Sequence, residues 1–188
     1  MDIPLDTSMW QTYRNEEYGF ELLYPGEFRE RNGEISFTTD GYWFYVSAEP
    51  LDSFSDSNDT PWYNKTAIEE EQHAARERDF VPSFYDREGL FFIPLRRSNV
   101  QGFTVYKYFA QDGVAINSFF TFFTPTARVR LEMFDLRPEW QKAKTRNEMK
   151  PAVNEAIQRL LAGREENQEI VKKYEIRNKM IETIRILH

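Results

Sequence analysis

Apolar and polar residues alternate along much of the first half of the chain, which is the period of β-strands. Phe20, Leu22 and Tyr24 lie at every second position, and Pro25 follows them directly. Because proline has no backbone N–H to donate to a sheet, we expect the strand to end there. The sequence therefore predicts a strand over residues 20–24.

Two tight turns predict a strand meander after this strand. Asn-Gly at 32–33 and Asp-Gly at 40–41 each separate two strand-like runs. Both dipeptides accept the positive φ angles of a type I′ hairpin turn. The third run has one face made of Tyr42, Phe44, Val46 and Ala48 and another made of Trp43, Tyr45 and Ser47.

Strand signals return after residue 90 and end near Pro138. The runs LFFIPL, GFTVYKYFA, VAINSFFTFFT and ARVRLEMFD are apolar or alternating, with turn residues between them. In the last run Val129, Leu131 and Met133 alternate with Arg128, Arg130 and Glu132. This alternation predicts a strand with one buried face and one exposed face.

A first helix is predicted over about 62–78. Thr60 suits its N-cap, and Pro61 suits the first helical position, where a missing N–H does no harm. Its apolar face is narrow and consists of Ile68 and Ala75, with Ala67 and Ala74 beside them. A helix with so much polar surface is expected to lie against one face of a sheet.

Two more helices are predicted at the C-terminal end. The first carries an apolar stripe of Met149, Val153, Ala156, Ile157 and Leu160. Thr145 with Glu148 resembles a capping box at its start, Pro151 falls early in it, and Gly163 suits its end. The second runs from about Glu169, and its final residues ETIRIL fit either a helix or a short strand.

This order of elements predicts the α+β class. We expect an α/β/α sandwich with a central antiparallel sheet of about six to seven strands and helices covering its faces. Residues 1–9 are expected to form a leader, and 10–188 a single domain with a C-terminal helical extension from about 148.

Charge and composition exclude several classes of function. The chain has 24 basic and 31 acidic residues, a net charge of −7, and no cluster of Lys and Arg that would displace counterions from nucleic acid. It has no cysteine, which excludes disulfides, thiolate zinc sites and thiol nucleophiles. No apolar run is long enough to span a membrane, and no signal-peptide pattern is present.

Metal sites have two weak candidates in the sequence. His73 lies at helical spacing from Glu69 and Glu77, but a charged helix face is more often simply solvated. The acidic loop 52–60 offers oxygen ligands, yet Pro61 and Ala67 stand where a calcium-binding EF-hand needs glycine and glutamate. We therefore predict no metal and no cofactor, with a looser cation site in the 52–60 loop as the alternative.

Catalytic motifs are missing from the sequence, and aromatic residues remain as a signal of binding. No nucleophile elbow or phosphate-binding glycine loop is present. Glu132 and Asp135 could form an acid–base pair, but nothing in the sequence beyond the presence of two carboxylates indicates one. Aromatic residues on strands more often pack within a sheet than bind a ligand. The candidates for a ligand or partner surface are Trp43, Tyr45, Trp62 and Tyr63.

One stretch near the N-terminus resembles a known family. Tyr13, Asn15, Tyr18-Gly19-Phe20, Tyr24-Pro25 and Phe28 follow the pattern Y-x-N-x-x-Y-G-F-x-x-x-Y-P-x-x-W, with Phe in place of Trp. This pattern is similar to the start of PsbP/Mog-like domains. The resemblance covers about 20 residues closely. It implies an α/β/α sandwich that is commonly non-enzymatic and has no shared catalytic residues.

These observations predict a non-catalytic binding or accessory module, not an enzyme, with an unidentified protein partner and no nucleic acid. The resemblance implies a cell-envelope or other extracytoplasmic location, with a lipid anchor that precedes the given sequence. One alternative is a cation-dependent enzyme that uses carboxylates near the 52–60 loop. Another is a cytoplasmic interaction domain that binds partners through its C-terminal helices.

Overall fold

The structure of the chain is a computed structural model that describes residues 6–26, 29–31, 34–39, 42–55, 64–77, 79–85, 90–97, 100–110, 114–142 and 146–187. The strands are β1 (Gln11–Asn15), β2 (Phe20–Tyr24), β3 (Arg29–Arg31), β4 (Glu34–Thr39), β5 (Tyr42–Pro50), β6 (Leu90–Arg97), β7 (Val100–Phe109), β8 (Ala115–Phe123), β9 (Ala127–Asp135) and β10 (Arg185–Ile186). The α-helices are α1 (Lys65–Arg76), α2 (Lys150–Leu161) and α3 (Gln168–Thr183).

The strands form two antiparallel sheets. The larger sheet has seven strands in the order β3-β4-β5-β9-β8-β7-β6, and the smaller has three in the order β1-β2-β10. The mixed helix-and-sheet class and the antiparallel pairing are confirmed. The prediction of one sheet was incomplete, because β2 does not join the meander but pairs with β1 on one side and β10 on the other.

Strand register divides the larger sheet into two faces, each with its own core. On the first face Phe44, Leu131 and Phe120 pack with Val153 of α2 and Ile181 of α3. Side chains of β2 complete this core, and both α2 and α3 contribute residues to it. On the second face, Ala67 and Ala74 of α1 pack with Tyr85, Phe103, Val105 and Phe119.

Gly102 on β7 allows the backbone of β8 and the ring of Phe120 to approach β7 closely. A Cβ at this position would overlap the carbonyl oxygen of Thr121 and would lie 2.7 Å from Cζ of Phe120. Only glycine leaves room for the neighbouring strand and for the Phe120 ring at this point. The residue is therefore required by close packing rather than by a turn.

Helix boundaries differ from the predicted ones where the caps differ. Helix α1 begins at Lys65, not near 62, because Asn64 is the N-cap and its side chain accepts a hydrogen bond from the Ala67 N–H at 2.7 Å. Thr60 and Pro61, the predicted start, lie outside the described residues.

The start of α2 also differs, while its end agrees with the prediction. The predicted capping box cannot be compared as a pair: Glu148 lies in a 3₁₀ turn over Arg146–Met149, and the N-cap of α2 itself is Met149, which makes no side-chain capping bond. Thr145 lies outside the described residues. Gly163 has φ of +65° directly after the C-cap, as predicted, and Pro151 lies in the first turn.

The ambiguous end of the chain contains both a helix and a strand. Helix α3 runs to Thr183, and Arg185 and Ile186 then pair with Glu21 and Phe20 of β2. Among the described residues, no helix is long and apolar enough to cross a membrane.

Candidate functional site

A buried network of charges on the second face joins α1 to the sheet. Glu71 of α1, which is 1% exposed, accepts hydrogen bonds from Arg128 Nη1 at 3.1 Å and Arg130 Nη2 at 2.8 Å. It also accepts from the Tyr85 hydroxyl at 2.7 Å. Arg128 Nε donates in turn to Glu49 Oε2 at 2.8 Å. The two arginines are thus matched by two carboxylates, which is what burial of charge requires.

Burial also changes the chemistry of the tyrosine in this network. It raises the pKa of the Tyr85 hydroxyl well above its usual value, and the Glu71 carboxylate raises it further. Tyr85 therefore stays a neutral hydrogen-bond donor at any ordinary pH. Every carboxylate in the network is bonded to a guanidinium or a hydroxyl. We therefore conclude that the network stabilises the packing of α1 on the sheet and is not a catalytic site.

Sequence reasoning missed this network. Arg128 was predicted on the exposed face of its strand, but it is fully buried because α1 covers that part of the sheet. A signal was present: Glu71 lies within the apolar stripe formed by Ala67, Ile68, Ala74 and Ala75. A carboxylate inside a stripe that packs on a sheet predicts a buried cationic partner.

A group of partly exposed rings lies on the second face, on strands β5, β9 and β7. The Tyr45 and Phe134 rings are stacked, with centroids 6.1 Å apart and planes at 13°. Phe109 meets Phe134 edge to face at 5.0 Å and 71°. All three side chains are half-buried. The strand register of β5, β9, β8 and β7 places all three side chains on the same face of the sheet.

Polar side chains lie directly beside these rings. Register places Glu132 opposite Tyr45, Asn117 opposite Phe134, and Lys107 opposite Asn117. Asn117 Nδ2 donates to Glu132 Oε2 at 3.2 Å. We call Glu132 and Lys107, together with Tyr45, Phe109 and Phe134, the aromatic–polar surface; Asn117 is buried and supports Glu132 from within the sheet. This surface combines flat apolar area with donors and acceptors, which suits binding to a polar partner.

Lys107 is the cation of the aromatic–polar surface. Its Nζ lies 5.3 Å from the centroid of the Phe119 ring. Burial lowers the pKa of this ammonium group, while the nearby Glu132 carboxylate opposes that effect. The lysine is thus partly desolvated before any partner binds, so less hydration is lost when it contacts one.

Of the four aromatic residues predicted as a ligand or partner surface, the structure places one in this group. Tyr45 is part of the aromatic–polar surface. Trp43 pairs with Phe134 in the strand register, but its side chain lies outside the described part of the chain, as do Trp62 and Tyr63. Sequence reasoning did not select Phe109 or Phe134, although each is a ring at the end of a strand with a polar neighbour on the same face.

The metal and acid–base candidates do not come together in the described residues. No group of three His, Asp or Glu residues there is placed to hold an ion. The His73 ring instead contacts Phe80 edge to face, with centroids 4.3 Å apart. Glu132 and Asp135 point to opposite faces of β9, so they cannot act as a pair. Residues 56–60 of the acidic loop lie outside the described residues.

A cavity of about 420 Å³ lies where α1 meets the ends of β7 and β8. Its lining is mixed, with Gln72 and Arg76 from α1 and with Phe123 and Thr124 from the end of β8 and the turn after it. Arg76 is the one charged residue among its described lining residues. The cavity therefore offers no pair of titratable groups for acid–base catalysis.

Comparisons with known proteins give distant structural likeness and no family. No protein-family model matches the chain, and no curated protein matches it in sequence. The chain is similar to a crystal structure of a protein from Bacteroides thetaiotaomicron VPI-5482, with 9% identity and a TM-score of 0.42. The alignment covers 96% of this chain and 49% of that one, so the chain spans about half of that protein's length.

Proposed function

We propose that the chain is a non-catalytic binding or accessory module that contacts a protein partner through the aromatic–polar surface. The stacked pair Tyr45–Phe134, half-exposed beside Glu132 and Asn117, is the observation that carries the proposal. Aromatic residues within a polar surround are the typical composition of the energetic centre of an interface. The proposed architecture is an α/β/α sandwich, with α1 on one face of the larger sheet and α2 on the other.

Rigidity of the underlying strands supports this assignment. Tyr45 lies on β5 and Phe134 on β9, which pair with each other over nine residues and with β4 and β8 on their outer sides. Side chains fixed by strands on both sides lose little freedom on binding, so more of the contact energy is available for affinity. A flexible loop carrying the same rings would not have this advantage.

A pair of matched variants tests the proposal. Tyr45→Ala should weaken capture of the partner at least tenfold in a pull-down followed by a titration of the purified partner. Leu161→Ala is the control, because Leu161 is an apolar residue 40% exposed on α2, far from the second face. Loss of binding in the control with normal binding by Tyr45→Ala would favour the C-terminal helices as the contact surface instead.

Deletion of the C-terminal helices is not a usable test of that alternative. Ile170, Tyr174 and Ile181 of α3 belong to the main core, so a chain shortened before α3 would lose stability as well as surface. Single substitutions at exposed positions avoid this difficulty.

The cation-dependent enzyme stays a prediction, and no described group of residues favours it. If the 52–60 loop binds an ion, then calcium, manganese or zinc should raise the Tm, because a ligand bound to the native state stabilises it. An unchanged Tm with all three ions would remove this alternative.

Family and location also remain proposals. The resemblance to PsbP/Mog-like domains rests on the Tyr18-Gly19-Phe20 stretch and its neighbours. The same resemblance is the basis for a cell-envelope lipoprotein. The gene sequence upstream of Met1 tests the location: a signal peptide that ends in a lipidated cysteine supports it, and an upstream stop codon in frame contradicts it.

A further inference from the structure

Glu132 is the carboxylate of the aromatic–polar surface, and it makes no ion pair with any residue that the structure describes. Its Oε2 atom accepts one hydrogen bond, from the Asn117 amide at 3.2 Å. Asn117 is 1% exposed, so this bond holds the carboxylate from beneath while the Glu132 side chain stays half-exposed. Glu49 and Glu71, on the same face, each contact the Arg128 guanidinium instead. Glu132 is therefore fixed in position and open to a cation from outside.

Two aromatic rings lie next to this carboxylate. Register places Tyr45 directly opposite Glu132, where Cβ atoms of paired residues are about 5 Å apart. Phe134 lies two residues further along β9, on the same face, and its ring stacks on Tyr45 with centroids 6.1 Å apart. Both rings are half-exposed. A cation placed here would contact the face of a ring and a carboxylate together, and both contacts are attractive.

The cations already on this face contact a different ring. The Arg130 guanidinium lies 4.9 Å from the centroid of the buried Phe119 ring, and Lys107 Nζ lies 5.3 Å from the same centroid. Arg130 Nη2 also donates to Glu71 at 2.8 Å, so a carboxylate offsets its charge. Lys107 is then the cation on the surface that opposes a second positive group. Contact with Glu132 and the field of a chain with net charge −7 favour that group.

A guanidinium fits these contacts better than an ammonium group does. The guanidinium is flat, so it can stack on a ring while it donates two parallel hydrogen bonds to a carboxylate. Glu132 can accept both, because no described residue donates to its Oε1 atom and its Oε2 atom accepts only from Asn117. An ammonium group is a compact, strongly hydrated charge without this planar geometry.

We propose that the protein partner of the aromatic–polar surface presents an arginine, which lies over the Tyr45 and Phe134 rings and pairs with Glu132. The inference rests on the proposed function and specifies the chemistry of the partner. Arginine is among the residues that most often dominate the binding energy of an interface, together with tyrosine and tryptophan. An acidic partner group at the same place would be repelled by Glu132 and by the net charge of the chain.

An NMR titration in low salt with two small probes tests the arginine contact. N-acetyl-arginine amide carries the guanidinium, and N-acetyl-citrulline amide has nearly the same shape without the charge. The arginine probe should shift the ring signals of Tyr45 and Phe134 with a Kd about fivefold lower or more, the factor expected for contact between unit charges in water. Glu132→Gln, which can still accept from Asn117, should raise this Kd to that of the citrulline probe. Glu155→Gln, at an exposed carboxylate on α2, should leave it unchanged.

Lys107→Gln gives a second measurement with the opposite sign. It removes the positive charge that opposes the probe, so the arginine probe should bind about twofold more tightly or better, while the citrulline probe should bind as before. Equal Kd values for the two probes would overturn the proposal. An unchanged Kd in Glu132→Gln, weaker binding in Lys107→Gln, or the absence of any shift at the two rings would each overturn it as well.

The pull-down of the partner separates this inference from the proposed function. Weak capture by both Tyr45→Ala and Glu132→Gln supports the two together. Weak capture by Tyr45→Ala with normal capture by Glu132→Gln would overturn the arginine contact and leave the surface as the binding site. Normal capture by both variants would overturn the proposed function, and with it the inference.

Discussion

Replacement of Glu71 by glutamine is the most direct test of how α1 is held on the sheet. Glutamine has the same shape but no charge, so Arg128 and Arg130 would lose the carboxylate that accepts from both. Breaking a buried ion pair by removing one partner costs about 3–5 kcal/mol. Arg128 keeps Glu49, so we expect the lower part of this range, about 3 kcal/mol.

Urea unfolding followed by circular dichroism measures this loss. With a slope of about 2–3 kcal/mol per molar urea, a loss of about 3 kcal/mol lowers the midpoint by about 1–1.5 M. Glu69→Gln, at an exposed position two residues earlier on α1, is the control and should stay within about 0.5 kcal/mol of the natural chain. A loss below about 1 kcal/mol in Glu71→Gln would show that the network does not stabilise the helix as argued.

A double-mutant cycle separates the hydroxyl of Tyr85 from the charges. Tyr85→Phe removes the donor that lies 2.7 Å from Glu71. If the two groups stabilise each other, the cycle of Tyr85→Phe and Glu71→Gln should give a coupling energy of about 1 kcal/mol or more. Additive effects would mean that the hydroxyl contributes independently of the carboxylate.

Three further changes have defined outcomes. Gly102→Ala should cost about 1–3 kcal/mol in urea unfolding, because its Cβ would overlap the Thr121 carbonyl oxygen. Asn64→Ala should cost about 1 kcal/mol, because it removes the cap on the Ala67 N–H. Burial raises the pKa of Asp135 from 3.8 to about 6, so the native state holds a proton that the unfolded chain releases. Stability should therefore fall by roughly 2–3 kcal/mol as pH rises from 4 to 7, and Asp135→Asn should remove this fall.

Each of these changes has a control or a contrary result. Glu155→Gln, at an exposed carboxylate, should leave the pH profile unchanged, and a profile unaltered by Asp135→Asn would contradict the Asp135 assignment. Gly102→Ala at natural stability would show that the strands can move apart at that point. An unchanged midpoint for Asn64→Ala would mean that α1 starts elsewhere.

Local signals explain which parts of the fold could be predicted. The hairpins of the larger sheet follow from alternation and from the Asn-Gly and Asp-Gly dipeptides, and both are properties of a few neighbouring residues. The smaller sheet could not be predicted in this way, because β2 pairs with β10 from the far end of the described chain. Nothing near Phe20 or Ile186 indicates that pairing.

The candidate sites were predicted less well for a related reason. Tyr45 was selected as a ring on an outward position. Phe134 could be recognised as its neighbour only once the pairing of β5 with β9 was known. Arg128 and Arg177 look like surface residues in the sequence, and their burial depends on α1 and on the packing of α3. Sequence patterns show which face of an element is apolar, but not which other element covers it.

The pairing of β10 with β2 has a consequence for synthesis of the chain. The N-terminal segment leaves the ribosome first. Strands β1 and β2 therefore emerge long before Arg185 and Ile186 are synthesised and can pair with Glu21 and Phe20. Until then one edge of β2 keeps unpaired backbone groups and Phe20 lacks part of its cover, which is a state prone to association with other chains. We expect nascent chains halted before residue 185 to depend on chaperones, and complete ones to be free of that need.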